Sequence, residues 1–232
     1  MKWRSLEESG PSTDIRPLRE IFAERKELIA RYVPPETQAI HSRAIAELRQ
    51  SGISDRILPM GAKSLPFELK DHNGKSVSST DLLRQGRLVI CFIRGRWCPF
   101  CVAQLEAMNL ILPEIKAAGA SLVGISPQTV PQSFFMVDQH HLRFPLLSDA
   151  NHQLAQQWGL AYRVPQGQQS VYQRAMVNLP FANGNDSWQL PVPATYVLDR
   201  DHTVLYASVD PDYTERPEPA DILQKLASFQ AG

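Results

Sequence analysis

The chain has 232 residues with 24 Lys+Arg and 24 Asp+Glu, so its formal net charge is +0. This balance gives no support to binding of nucleic acid or of an anionic membrane surface, because both require a basic surface. No apolar stretch approaches the roughly 18 residues that predict a membrane span, and the N-terminal residues lack the apolar segment of a secretory signal. We therefore expect a cytoplasmic globular protein without nucleic-acid or membrane partners.

The first sixty residues are predicted to form a helical hairpin. Apolar residues recur at helical spacing over 18–32 and again over 36–50. Pro34-Pro35 separates the two segments, since proline is excluded from helix interiors. We interpret residues 1–60 as an extension that packs on the rest of the chain. The alternative is a dimerisation arm, which would make a second copy of the chain a partner in a homodimer.

From about residue 61 onward, strands and helices alternate. The continuous apolar run over 88–93 predicts a strand buried on both faces, and a helix with a break near Pro113 follows over 98–118. Two late strands within 195–207 predict an antiparallel hairpin. Residues 161–191 are rich in Gln, Asn, Gly and Pro and are interpreted as an insertion with one helix. The sequence thus predicts an α/β domain over 61–232, with helices on both sides of a mixed central sheet.

Two cysteines, Cys98 and Cys101, lie where the buried strand gives way to the long helix. A thiol at a helix N-terminus faces unpaired backbone N–H groups and the positive end of the helix dipole, which stabilise its thiolate. Arg94 and Arg96 add positive charge, and Pro99 suits a first helical position. We therefore expect the pKa of Cys98 to lie below the ~8.5 of a free thiol. Cys101 is close enough to attack an oxidised Cys98.

A zinc site is the structural alternative for the Cys pair. Tetrahedral zinc takes four ligands, and the sequence has no second Cys pair. His140-His141 could supply a ligand, but no pattern places it near the cysteines. Cys91 lies inside the apolar run and is interpreted as a core residue. The sequence therefore predicts no metal and no other cofactor.

Four stretches resemble a known family in the same order along the chain. The stretch Arg94-Gly95-Arg96-Trp97-Cys98-Pro99-Phe100-Cys101 resembles the active-site turn of peroxiredoxin-like proteins of the alkyl hydroperoxide reductase and thiol-specific antioxidant (AhpC/TSA) family. The stretches 123–127, 144–149 and 193–199 are similar to later segments of that family, and the likeness covers about residues 60–229.

The resemblance implies a thioredoxin-like fold and a thiol-dependent peroxidase. Cys98 would attack hydrogen peroxide or an alkyl hydroperoxide, and Cys101 would resolve the sulfenic acid as a disulfide. The implied reductants are thioredoxin, glutaredoxin or glutathione.

The chain departs from the family at three positions. Gly95 stands where the family has Thr or Ser, Cys91 where it has Pro, and Pro193 where it has an Arg before the late strand. The family's Thr and Arg position the peroxide, so their loss favours a second hypothesis. Val192-Pro193 resembles the cis-proline step of thioredoxins and Trp97 their Trp, which indicates a protein thiol–disulfide oxidoreductase. A third hypothesis is a redox-dependent sensor or binding module.

Overall fold

The computed structural model describes residues 10–12 and 14–229, so the part of the predicted extension before residue 10 lies outside the described residues. The helices are α1 (Leu18–Tyr32), α2 (Pro35–Gln50), α3 (Ser79–Gln85), α4 (Pro99–Leu110), α5 (Leu112–Ala117), α6 (Val130–Gln139), α7 (Gln153–Gln157), α8 (Gln166–Arg174), α9 (Leu179–Asn183) and α10 (Pro219–Ser228). The strands are β1 (Glu68–Asp71), β2 (Ser76–Ser78), β3 (Arg87–Phe92), β4 (Ala120–Ser126), β5 (Leu146–Ser148), β6 (Ala161–Arg163), β7 (Gln189–Pro191), β8 (Ala194–Leu198) and β9 (Val204–Val209).

A mixed seven-stranded sheet forms the centre of the molecule, in the order β2-β1-β5-β4-β3-β8-β9. Strands β3, β4 and β5 run parallel to one another, and the other neighbours in this sheet are antiparallel. Strands β6 and β7 form a separate two-stranded sheet. The predicted α/β architecture with a mixed central sheet is confirmed.

The central strand β3 divides the core in two. Alternate side chains of a strand point to opposite faces of the sheet. Val89 and Cys91 accordingly join a cluster with α4 on one face, and Ile90 and Phe92 join a cluster with Trp158 on the other. Burial on both faces explains why the run over 88–93 is continuously apolar.

Helix α1 packs against the start of α4. The rings of Phe22 and Phe100 meet edge to face, with centroids 5.0 Å apart. Helix α2 ends before Gly52, which takes the left-handed conformation (φ 68°) that often ends a helix. The described part of 1–60 thus contains the two predicted helices. Its separation from 61–232 as a domain, and its use as a dimerisation arm, stay predictions.

The long predicted helix is divided into α4 and α5 at Ile111, next to Pro113 in the first turn of α5. The helix that the sequence predicts around 168–176 in the insertion is present as α8, but 161–191 also contains α9 and the β6–β7 pair, which the sequence does not predict. Strands of three residues are too short to show a periodicity in sequence. No helix within the described residues is long and apolar enough to cross a membrane.

The contact between α1 and α4 generates a prediction on stability. Phe22 is buried at the contact, so Phe22→Ala should lower the free energy of unfolding by about 3 kcal/mol. Urea denaturation followed by circular dichroism measures this change. Glu27→Ala, at an exposed position of the same helix, is the matched control and should have little effect. Equal effects of the two substitutions would contradict the packing of α1 described here.

Candidate active site

The predicted Cys pair lies at the carboxyl end of β3, where α4 begins. Cys98 is the N-cap residue of α4 and Pro99 occupies its first turn, as the sequence predicts. The Cys98 N–H donates to the Gly95 carbonyl at 3.1 Å, and the Cys101 N–H donates to the Cys98 carbonyl at 3.0 Å. Both thiols are free and buried, with 1% and 0% of the two residues exposed. The turn therefore places the two sulfurs beyond the carboxyl end of the central strand β3, away from bulk water.

Two donors are directed at the sulfur of Cys101. The backbone N–H of Arg94 lies 3.5 Å from this Sγ, and Nη2 of Arg216 lies 3.9 Å from it. Burial acts to raise the pKa of Cys101, but a hydrogen bond from Cys98 and the charges of Arg216 and Arg94 lower it to about 5. Cys101 is therefore the thiol that the site holds as a thiolate.

Cys98 behaves in the opposite way, and the prediction of a lowered pKa for this thiol is wrong. Burial raises the pKa of Cys98 well above its ordinary value, and the hydrogen bond to Cys101 and that residue's negative charge raise it further. The N-cap position exposes the sulfur to the helix dipole, yet Cys98 makes no side-chain capping bond. The nearest charged donor, Nη2 of Arg216, contacts Cys101 instead.

Arg94 is a buried cation beside the Cys pair. Its guanidinium lies over the rings of Tyr213 and Trp97, at 4.1 and 4.8 Å from their centroids, and Nη2 donates to the Tyr172 hydroxyl. Within the described residues, no carboxylate forms an ion pair with Arg94. A buried charge needs compensation, and here it comes from aromatic faces and from the neighbouring thiolate.

Arg96 binds two glutamine side chains, one through its backbone and one through its guanidinium. Its backbone N–H donates to Gln128 at 2.7 Å, and its Nε donates to Gln132 of α6 at 2.8 Å. These bonds tie the turn to the end of β4 and to α6. Of the two arginines that the sequence predicts near the thiols, Arg94 therefore contacts Cys101 and Arg96 holds the turn.

The indole of Trp97 lies over Gly95, which has φ 144°. A Cβ atom at this glycine would come within 2.7 Å of the indole Nε1. Trp97 also packs on Tyr172 of the insertion, with centroids 5.1 Å apart. The backbone conformation and the indole together exclude a threonine at position 95, which explains this departure from the family pattern.

The expected cis bond before Pro193 is not present. No peptide bond among the described residues is cis, so the likeness of Val192-Pro193 to a cis-proline step is wrong. The trans form is intrinsically favoured, and the chain passes here directly between the extended strands β7 and β8. Pro193 is buried at this junction.

Sequence reasoning missed Arg216, which follows β9 in the loop before α10. Its Nε donates to Gln104 at 2.9 Å, and Gln104 in turn donates to Thr195 of β8 at 3.0 Å. A single arginine in a loop rich in Pro and acidic residues carries no local signal of its role. Only the tertiary fold brings it to Cys101.

No group of three or more His, Cys, Asp or Glu side chains in the described part of the chain is arranged to hold a metal ion. His140, considered above as a zinc ligand, hydrogen-bonds Glu106 through Nδ1 at 2.9 Å.

Comparison with known proteins finds relatives of this chain among the peroxiredoxins. The sequence model of the AhpC/TSA family matches residues 60–207. Peroxiredoxin Bcp of Escherichia coli (strain K12) is 32% identical over 94 residues, which cover 40% of this chain and 60% of that protein. A Mycobacterium tuberculosis protein named as a peroxiredoxin is 29% identical over 152 residues, covering 66% of this chain and 85% of that protein.

Solved structures agree with the predicted thioredoxin-like fold. The crystal structure of peroxidoxin BcpB from Mycobacterium tuberculosis has a TM-score of 0.59 at 24% identity, covering 75% of this chain and 97% of that chain. A Cys-to-Ser mutant of PrxQ from Xylella fastidiosa has a TM-score of 0.60 at 17% identity, with coverages of 75% and 98%. At these identities the likeness concerns the fold, and the prediction of that fold is confirmed.

The packing of Trp97 on Gly95 predicts that the family's threonine is not tolerated. Gly95→Thr should lower the free energy of unfolding by about 3 kcal/mol, because it adds steric overlap to backbone strain. Gly61→Thr is the control, since Gly61 has φ 82° but open space around its Cα, and should cost about 1 kcal/mol. Urea denaturation compares the two. A Gly95→Thr protein as stable as the control would contradict the contact.

The contrast between the two thiols predicts how the pair titrates. The ultraviolet absorbance of thiolate should show one anion in the reduced protein at neutral pH. This signal should be lost as the pH falls through about 5, because protonation of Cys101 removes it. Cys91→Ser should leave the titration unchanged, since burial raises the pKa of Cys91 to about 12. Loss of the signal already near the pKa of a free thiol would contradict the assignment.

Proposed function

As a member of the AhpC/TSA family the chain is a thiol-dependent peroxidase, and we propose that Cys98 and Cys101 are its two redox thiols. The observation that carries this proposal is the buried thiol pair, in which one sulfur receives a hydrogen bond from Arg94 and faces the guanidinium of Arg216. The thiolate is the nucleophile in thiol chemistry, and the arginines maintain it at neutral pH. Burial keeps the oxidised sulfur away from water and from large reagents.

The proposed cycle has three steps. One thiolate attacks the outer oxygen of a hydroperoxide, so that an S–O bond forms, the O–O bond breaks, and an alcohol or water leaves. The second sulfur attacks the resulting sulfenic acid, an S–S bond forms, and water leaves. An external dithiol, or two molecules of glutathione, then reduces the disulfide by thiol–disulfide exchange. Each turn consumes one peroxide and two reducing equivalents.

The reductant in this proposal is thioredoxin, glutaredoxin or glutathione, acting in the cytoplasm. A chain with only three cysteines fits a compartment in which these systems keep thiols reduced. The buried sulfurs must become accessible to a protein reductant. The reduction step therefore requires a local movement of the residues that cover the pair.

The alternative of a protein thiol–disulfide oxidoreductase has less support. Attack on a protein disulfide needs an accessible sulfur, and both residues of the pair are at most 1% exposed, so this activity would need the local movement in both halves of its cycle, whereas a peroxidase needs it only for reduction. The trans bond before Pro193 also removes one of the features on which this alternative depended; Trp97 and the absence of the family's Thr and Arg remain. Burial favours a small substrate such as hydrogen peroxide or a short alkyl hydroperoxide.

Peroxide consumption tests the proposal directly. The reduced protein, given one equivalent of hydrogen peroxide, should lose two hydrogen atoms by intact-mass analysis, and peptide mapping should find a Cys98–Cys101 disulfide. A variant with both Cys98→Ser and Cys101→Ser should lose peroxide consumption, whereas Cys91→Ser should retain it. Reduction of insulin without any consumption of peroxide would support the alternative and reject the proposal.

A further inference from the structure

We propose that Arg216 is a catalytic residue of the second chemical step, in which it stabilises Cys101 as a thiolate while this thiol resolves the sulfenic acid of Cys98. Gln104 is the positioning residue that holds Arg216 for this role. The inference rests on the proposed function and keeps the order of attack that the family resemblance implies. It assigns a step of the reaction to a residue outside the part of the chain that the family model matches, 60–207.

The first observation is the contact between Arg216 and the resolving sulfur. Nη2 of Arg216 lies 3.9 Å from Sγ of Cys101, and the backbone N–H of Arg94 lies 3.5 Å from the same atom. A hydrogen bond from a cation to an anion is stronger than one between neutral groups, and the low dielectric of a buried site strengthens it further. The site therefore carries a guanidinium at the sulfur whose ionisation the second step requires.

The second observation is the network that holds Arg216 in place. Its Nε donates to Oε1 of Gln104 at 2.9 Å, and its Nη1 donates to the Glu215 carbonyl at 2.6 Å. Gln104 lies on α4, three residues after Cys101, and its Nε2 donates to the hydroxyl of Thr195 at 3.0 Å. The residues Gln104 and Thr195 are both buried. The amide of Gln104 thus uses its oxygen for the arginine and its nitrogen for the sheet.

This network fixes the direction of the guanidinium. Gln104 lies on the helix that begins at the Cys pair, Thr195 lies on β8, and Arg216 lies in the loop between β9 and α10. Because Nε and Nη1 are occupied by these partners, Nη2 stays directed at the sulfur, and little side-chain entropy is lost when an anion forms there. A donor that is preorganised in this way stabilises charge that develops during a reaction step.

The first chemical step leaves a thiolate in front of this donor. Cys98 and Cys101 are hydrogen-bonded to each other, so one proton serves both sulfurs and can pass to Cys101 as Cys98 attacks the peroxide. The S–O bond forms, the O–O bond breaks, and the departing alkoxide or hydroxide takes the proton from Cys101. Cys98 is then a sulfenic acid, and Cys101 is a thiolate that faces Arg216.

The second step is the attack of Cys101 on the sulfenic sulfur. An S–S bond forms, the S–O bond breaks, and the hydroxide that leaves is protonated by water. Arg216 keeps Cys101 anionic until this attack, so the sulfenic acid exists only briefly. A sulfenic acid that persists reacts with a second peroxide to give sulfinic acid, which thiols do not reduce. The contact therefore also protects Cys98 from overoxidation.

Substitution of Arg216 tests its role in this step. Arg216→Gln should slow disulfide formation about fivefold, because a charge-assisted contact to the thiolate is lost, and should not slow the formation of sulfenic acid. More sulfinic acid should then accumulate at Cys98 when hydrogen peroxide is in excess. Rapid quenching with dimedone, followed by intact-mass analysis and peptide mapping, measures each species over time. Arg216→Lys keeps the charge and should restore much of the rate, and Arg200→Gln, at an exposed turn position, is the control.

Substitution of Gln104 tests the positioning without removing the cation. Gln104→Leu removes the acceptor for Nε of Arg216 and should slow disulfide formation selectively, by about threefold. Gln104→Glu keeps an acceptor oxygen at this position and should stay close to the wild type. Thermal denaturation of each variant shows whether the fold is retained. A purely structural role would lower stability without changing the ratio of the two rates.

Three results would contradict the inference. Equal slowing of both steps in Arg216→Gln, or unchanged disulfide formation in a folded Arg216→Gln protein, would overturn the role of Arg216 and leave the proposed function intact. A dimedone adduct at Cys101 in place of Cys98 in the wild type would overturn the assignment of the resolving thiol. A wild type that consumes no peroxide would reject the proposed function itself, which is distinct from the other results.

Discussion

The site depends on the interaction between a buried arginine and a buried anionic sulfur. Arg94 is removed from water without a carboxylate partner among the described residues, and such a cation would be costly alone. The rings of Trp97 and Tyr213, the hydroxyl of Tyr172 and the neighbouring Cys pair each compensate part of its charge. The sulfur needs the arginine equally, because its own burial opposes ionisation. Each charge lowers the free-energy cost of burying the other, so the packing around Arg94 and the ionisation of the Cys pair depend on each other.

Two parts of the chain outside the family match, helix α1 and the loop that carries Arg216, are joined to each other beside this pair. Helix α1 follows Pro17, which offers no side-chain cap, and the carboxylate of Glu218 accepts the N–H groups of Leu18 and Arg19 at 2.9 and 2.7 Å instead. The loop that carries Arg216 is thereby fastened to the N-terminal helix. A carboxylate at a helix N-terminus is also favoured by the dipole. The N-terminal extension thus stabilises the loop that supplies a cation to the site.

The parts of the fold that depend on local sequence could be predicted. The run at 88–93 is apolar at every position, which indicates a strand buried on both faces. Pro99 and Pro113 indicate helix starts, because a missing N–H is tolerated in the first turn of a helix. The location of Cys98 and Cys101 at a strand-to-helix turn follows from these signals. Which sulfur carries the charge does not follow, because the helix dipole acts on both. The difference comes from Arg216, more than a hundred residues away in sequence.

Contacts between residues that are distant in the sequence also explain how the chain tolerates its departures from the family pattern. Threonine is excluded at position 95 because the indole of Trp97 occupies that space, and the indole is there because it stacks on Arg94 and Tyr172. The cation expected before the late strand is replaced by Pro193, while Arg216 brings a guanidinium to Cys101 from a different loop. A positive charge near the thiol pair is the physical requirement, and a different position in the sequence can supply it. A residue-by-residue comparison with the family therefore shows the loss of its Thr and its Arg, whereas the folded site retains a positive charge.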